Sequence, residues 1–592
     1  MPGDTCEIEV ARRLAAERVR LEALSAVDSS APRHFRRPFE RSFTAEERDR
    51  VTILFGGLTW KHEELLRAVF EGSGYRCDVV PSPDVSAYQI GREHGNVGQC
   101  NPTYFTVGAL IQYLRRLEGG GLSRRDIIDR YVFFTAGTCG PCRFGMYEAE
   151  YRLALQNAGF DGFRILLFQE EDGLKAQSGE PGLKFTVDFG MSALNAFNLG
   201  DVVHQLVYQF RPYEVRSGET DQVFREVVGD LARILRDREP FELLAAAPRL
   251  LRPPLERRRK LHNFLNTLGK IREHLYGRAL GDALAAARAQ IDAIDVDRLR
   301  VKPVVQVTGE FWAQTTESDG NYRIFEFLES EGAELRVEPI GSWMMYLLFQ
   351  QRLAADARRG LGLPLVGFWR HPVRRLANEL RYASTRLLFV AGERIWARQY
   401  HRAVDALGGV AHRLPPQDEL ARLAAPFYNP LARGGEGHLE IAKTLYHSMH
   451  HHCHMVLSLK PFGCMPSTQS DGVQSAVVAR FPEILFLPIE TAGDGEIHAR
   501  SRAQMVLADA KVRARREFEK VLQATGKRLD DIRSYVVDHP ELRRALYRVP
   551  HHRGVAGLAA NFVLHVSTLM DRQSRSGAAL ITRRAEGISS CP

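Results

Sequence analysis

Eight cysteines are spread through the 592-residue chain, and their settings rather than their number point to chemistry. In LSLKPFGCMPSTQSDG the apolar Val456, Leu457 and Leu459 suit a short buried strand that Pro461 and Gly463 stop. Cys464 is therefore expected at the carboxyl end of that strand. Ser467, Thr468, Ser470 and Asp471 then offer caps to a following helix, whose first-turn N–H groups can stabilise a thiolate or a sulfide. Cys100 sits in the turn GNVGQCNPTYFTVG ahead of a helix expected over 104–117. The strand YVFFTAG feeds TCGPCRFGMYEAEYRLAL, where Cys139 and Cys142 precede another helix. Small residues beside these thiols let the backbone approach a bulky inorganic ligand and aim N–H groups at it.

Other readings of the same thiols stay open. A single Cys such as Cys464 is commonly a buried structural residue. Cys139-x-x-Cys142, opening a helix after a strand, fits a dithiol oxidoreductase, although that reading leaves Cys100 and Cys464 unexplained. A closed zinc site ordinarily shows a second ligand pair at short spacing, and none appears. His447, His450, His451, His452 and His454 surround Cys453 as metal ligands would. Consecutive side chains on a helix end point in different directions, however, so a solvated terminus is the alternative. Glu490 and Asp494 follow the strand ILFLPIE and reach the Cys464 edge if the strand order is regular, as acid–base groups or as helix caps. Gly56-Gly57 lacks the third glycine and the Lys-Ser/Thr of a nucleotide loop and is expected to be a tight turn.

The elements that must position these residues alternate strand, helix, strand, the pattern of parallel α/β sheets. The expected fold is α/β, with two or more Rossmann- or flavodoxin-like units joined by helical segments and the thiols at the carboxyl edges of the strands. Residues 1–48 form a helical arm suited to a surface or dimer contact. Residues 49–215 form a first α/β domain with Cys100 and Cys142, and 216–298 a helical bridge. Residues 299–525 form a second α/β region with Cys464, and 526–592 a basic tail. KPVVQVTGEFW and LRVEPIG repeat the plan of the first unit, which suggests a duplicated architecture. Between 344 and 423 the chain is helical, with an apolar break at LPLVGFW.

A hydrophobic share of 44%, a charged share of 26% and a mean hydropathy of −0.25 exclude wholesale disorder. No apolar run approaches the roughly 20 residues that span a bilayer, and the amino terminus has no apolar signal core, so a cytoplasmic protein without a membrane partner is expected. The net charge of +8 and pI near 9.0 come largely from Arg along helices, as at 248–259. No basic stretch is interleaved with stacking aromatics, which argues against nucleic acid. A solvated Arg-rich surface is expected, with a polyanionic small substrate or an acidic partner as a second use.

Taken together, GNVGQCNPTYFTVG, TCGPCRFGMYEAEYRLAL, KPVVQVTGEFW, GGEGHLEIAKTL, KPFGCMPSTQSDGVQS and FLPIETAGDGEIHARSRAQM resemble the 2-hydroxyacyl-CoA dehydratase and benzoyl-CoA reductase superfamily over about 51–522. The closest part is similar to the large segment that follows the ATPase domain in long acyl-CoA dehydratase activase proteins. The resemblance implies that Cys100, Cys142 and Cys464 hold an iron–sulfur cluster, either [4Fe-4S] or of double-cubane type, with Cys139 a further ligand to consider. It also implies an electron supplied by a separate ATP-dependent activator, since no ATPase turn or activator cysteine motif is found. That electron would convert an acyl-CoA thioester to a ketyl radical and so acidify its β-carbon for dehydration. An electron-transfer protein or a double-cubane-type reductase component is the alternative from the same resemblance. Homo- or hetero-dimers are implied as well. Glu310, Ser467, Glu490 and Asp494 are candidate pocket groups, and Cys6 and Cys591 lie outside the turns.

Overall fold

Eight short strands, most of them apolar runs with glycine or proline soon after, form two parallel four-stranded sheets. β1 (Thr52–Phe55), β2 (Arg76–Val79), β3 (Tyr131–Gly137) and β4 (Arg164–Gln169) lie in the order β2-β1-β3-β4. β5 (Val304–Gly309), β6 (Glu334–Val337), β7 (Met455–Pro461) and β8 (Phe486–Thr491) repeat it as β6-β5-β7-β8. All pairings are parallel. The α/β class and the duplicated plan are therefore as the sequence leads one to expect. In each sheet the order reverses between the first and third strands, at β1/β3 and at β5/β7, which is where such sheets open a crevice at their carboxyl ends.

This computed structural model describes residues 12–17, 19–20, 40–137, 142–169, 182–246, 258–361, 372–432 and 434–588. The chain divides into Met1–Phe39 and Glu40–Pro592. In the first unit the described residues are helical, as expected of the arm. LPLVGFW, Cys6, Cys139, Cys591 and most of the basic run at 248–259 lie outside the described residues.

Glu40–Pro592 forms one compact unit. Glu219–Arg236 buries Phe224, Val227, Val228, Leu231 and Leu235 in one core with Ile53, Phe55, Leu65 and Val69, and Leu284, Ala287 and Ile291 of Arg278–Asp292 join it. An apolar stripe at helical spacing has to be covered, and the outer face of the first sheet layer covers this one. On the other face Leu54, Phe133 and Ile165 meet the helices Asn101–Gly119 and Tyr147–Asn157. The basic tail at 526–592 is helical in part and packs against the rest of this unit. Ile532, Val536, Phe562 and Val563 pack on Phe518 and Val521 of the helix Glu496–Thr525.

The helix Leu439–Met449, which leads into β7, is anchored by the buried Glu338 at the end of β6. Nε2 of His447 lies 2.6 Å from Glu338, Nζ of Lys443 lies 3.6 Å away, and Gln306 donates at 2.9 Å. Burial alone would raise this carboxyl, but Lys443, then His447 and Arg336, outweigh it and hold it at about 2. Burial keeps His447 below its ordinary value, so near neutrality it donates as a neutral ring while Lys443 supplies the opposing charge. Glu338 therefore stabilises the fold fully above the ordinary value of 4.5, and the contribution is lost as pH falls toward about 2. Glu338→Gln is expected to lower the unfolding free energy by about 3–5 kcal/mol at neutral pH and to flatten the acid limb of stability against pH, read by urea denaturation.

Candidate functional site

Three of the turns singled out by their cysteines come together where the carboxyl edges of the two sheets face each other. Cys464 follows β7 and is the N-cap residue of the helix Met465–Arg480. Cys100 is the N-cap residue of Asn101–Gly119. Cys142 follows the residues after β3 and caps the short turn Arg143–Met146 that runs into Tyr147–Asn157. Thus three helix starts open beside a sulfur atom, each aiming the positive end of its backbone dipoles that way. The residue pattern explains the first two: Cys100-Asn-Pro-Thr103 and Cys464-Met-Pro-Ser467 both put proline inside the first turn, where its missing N–H costs nothing.

The two halves touch at these turns. Asn101 N donates to Phe462 O at 3.0 Å, and Gly463, at φ +76°, lies so close that a Cβ there would stand 3.3 Å from Cys100 Cα. Nearby, Lys61 pairs with Glu317 at 2.7 Å, Val85 N donates to Asp319 at 3.1 Å, and Phe105 lies 5.6 Å from Trp312, ring to ring. The Gly56-Gly57 turn is closed internally, since Gly57 N and Leu58 N both donate to Glu63 at 2.9 and 3.0 Å, in keeping with a tight turn.

Cys100 and Cys464 are buried and Cys142 half-buried. Cys100 Sγ is 3.1 Å from Thr103 Oγ1 and 3.1 Å from Tyr147 Oη. Ser467 lies beside Cys464, its hydroxyl closing no hydrogen bond of normal geometry. Burial pushes all three thiols up. The negative charge of Glu310, which follows β5, adds to this at each of them, and that of Glu436 adds to it at Cys142 and Cys464. One carboxyl thus bears on three sulfurs far apart in sequence. Glu310 accepts from Ala313 N at 2.9 Å, and Glu436 accepts from Phe311 N at 2.6 Å. Burial raises both carboxyls, and the charge of Glu310 adds to this at Glu436.

The donor set suits a cluster. Among the described residues no three His, Cys, Asp or Glu side chains are grouped so as to hold a single metal ion. A cubane differs, because its thiolates bind separate irons and stand further apart. Soft sulfurs at three helix starts, with hydroxyls of Thr103, Tyr147 and Ser467 beside them, fit such a group. Bound iron would offset the burial that otherwise keeps these thiols protonated.

Of the remaining candidates, Glu310 and Ser467 are at the site. Glu490 and Asp494 are exposed at the end of the outer strand β8, and Cys139 lies outside the described residues. The histidines are at the opposite, amino end of β7. His447 and His454 are buried, the latter accepting from Val304 N at 3.0 Å, while His450 and His451 are exposed. Glu436, Thr103 and Tyr147 were not anticipated. The signals were present in Gly-Gly-Glu436-Gly and in the Cys-x-Pro-Thr/Ser pattern shared by two turns.

No protein-family model, curated protein or solved structure matches this chain. Among the described residues no helix is long and apolar enough to cross a membrane.

The contact between turns supplies a direct test. Gly463→Ala adds a side chain at a positive φ facing the Cys100 backbone. It is expected to cost roughly 1–2 kcal/mol of stability and to reduce iron bound per chain, read by denaturation and by iron assay.

Proposed function

We propose that this chain is an iron–sulfur protein of the 2-hydroxyacyl-CoA dehydratase type, in which Cys100, Cys142 and Cys464 hold the cluster. A separate ATP-dependent activator would supply it with a low-potential electron for dehydration or reduction of an acyl-CoA or another small substrate. The observation that carries this reading is the meeting of three cysteine-capped helix starts around Glu310. When bound, the cluster supplies one-electron chemistry at a potential set by charge, burial and hydrogen bonds to sulfur, within a family range of roughly −700 to +450 mV.

The chain's own residues supply the rest. Thr103 and Tyr147 place hydroxyls on Cys100 Sγ, and buried walls shield Cys100 and Cys464 from water. Removing water from a 2-hydroxyacyl group takes a proton from carbon and gives one to the departing hydroxyl. Burial raises both Glu310 and Glu436, which are linked through the backbone of Phe311, so that the pair can both hold and take up a proton near neutral pH. One carboxyl of the pair, ionised, takes the carbon proton, and the other, protonated, protonates the hydroxyl as it leaves as water. This pairing supports a dehydrating site over a bare electron relay.

Purified without oxygen, the protein is expected to be coloured and to carry iron and acid-labile sulfide. Cys100→Ala, Cys142→Ala and Cys464→Ala should each lose most of the iron, whereas Cys77→Ala and Cys453→Ala keep it. A colourless, sulfide-free wild type would remove the proposal. In the reduced protein a 2-hydroxyacyl-CoA should alter the cluster spectrum. Glu436→Gln is expected to retain iron and that spectral change while turnover falls about 100-fold or more.

A further inference from the structure

The second sheet has a second opening, along its edge strand β6. A cavity of about 680 Å³ is lined there by Val304, the first residue of β5, and by β6 from Glu334 to Val337 and on through Glu338 and Pro339. None of Cys100, Cys142, Cys464, Glu310 or Glu436 lines it.

Its charge is unbalanced. Arg298, Arg336, Arg413 and Arg548 line it, against the carboxylates Glu334 and Glu338. Both carboxylates are already engaged, Glu334 by Tyr213 at 2.7 Å and Glu338 by His447 and Gln306. Arg298 donates to the backbone carbonyls of Leu542, Arg544, Ala545 and Tyr547, partners that bring no negative charge. Arg336 donates to His452 O at 3.1 Å and, like Arg548, has no ion pair among the described residues. Only Arg413 has an acidic partner outside the lining, Asp405 at 3.2 Å.

The uncharged walls point the same way. His412, His452 and His551 face the cavity as further donors, and burial, followed by Arg336, holds the first two rings neutral. Gln209 Nε2 is buried in the lining without a hydrogen-bond partner. Phe210, Tyr446, Val549 and Leu558 give apolar surface beside these donors. Half-buried Arg336 and exposed Arg548 are thus left without a direct ion pair among the described residues, although Glu334 and Glu338 act on Arg336 at longer range, and Arg forks match phosphate oxygens. The volume is that of a small-metabolite site rather than of a bare ion.

We infer that this cavity along β6 is a binding site for a phosphorylated small metabolite, its phosphate held by Arg336 and Arg548 and its organic part against Tyr446 and the apolar wall. The site is independent of the cluster and of the reaction at the thiols. It accounts for the histidines before β7 without a metal.

Calorimetric titration of the full chain with inorganic pyrophosphate, a nucleoside diphosphate and a sugar phosphate tests this, with citrate as a phosphate-free anion and chloride holding ionic strength constant. Saturable binding of at least one phosphate compound is expected, with a rise in the thermal midpoint that follows its concentration. Arg548→Ala, an exposed change, should weaken that binding about tenfold or more, whereas Arg528→Ala, paired outside the cavity, should not. Arg336→Gln should abolish it, and if that variant fails to fold, Arg548→Ala decides alone. Preference for an organic phosphate over pyrophosphate places the organic part in the cavity, as expected. No saturable binding, binding of citrate alone, or binding unchanged in Arg548→Ala would overturn the inference.

Discussion

The seating of the Cys464 turn on the Cys100 turn is the constraint from which the rest of the molecule follows. A parallel sheet leaves its strand ends and the starts of its helices at one edge, and here two such edges are closed against each other. Gly463 permits the approach because it carries no side chain and accepts the left-handed backbone. The Lys61–Glu317 pair and the Phe105–Trp312 contact hold the same seam from either side. Asp201 adds a buried cap, accepting from Ile340 N and Gly341 N at 2.7 Å each and so tying the helix Ile340–Ala357 to a helix of the first half.

That seam gives the thiols their environment. Sulfurs at helix starts favour the thiolate, while burial and two carboxyls oppose it, so the pocket is poised toward the protonated thiol until a cationic group enters. The same burial raises Glu310 and Glu436. The second sheet carries two kinds of side chain: sulfur and carboxyl groups at the carboxyl ends of β5 and β7, guanidinium and imidazole groups along its edge strand β6.

Local features were legible in the sequence. Each apolar run ending in glycine or proline marked a strand, and the cysteines in turns before helices marked the edge where the strands end. Long-range packing was not legible. Nothing local in Phe224 or Leu231 says that their helix covers the first sheet, because an amphipathic stripe names a buried face but not its partner. Glu436 was hidden for a similar reason. It reaches Glu310 only through the Phe311 backbone, across more than a hundred residues of intervening chain. Glu490 and Asp494 show the converse, for a correct strand order still left them exposed on the outer strand.

Iron K-edge X-ray absorption on the anaerobically isolated protein tests the central claim most directly, since it reads the atoms around iron without reference to substrate. Convergence of the three turns on one cluster predicts a first shell of sulfur and a strong iron–iron scattering path. A nitrogen–oxygen first shell, or sulfur without any iron–iron path, would contradict it.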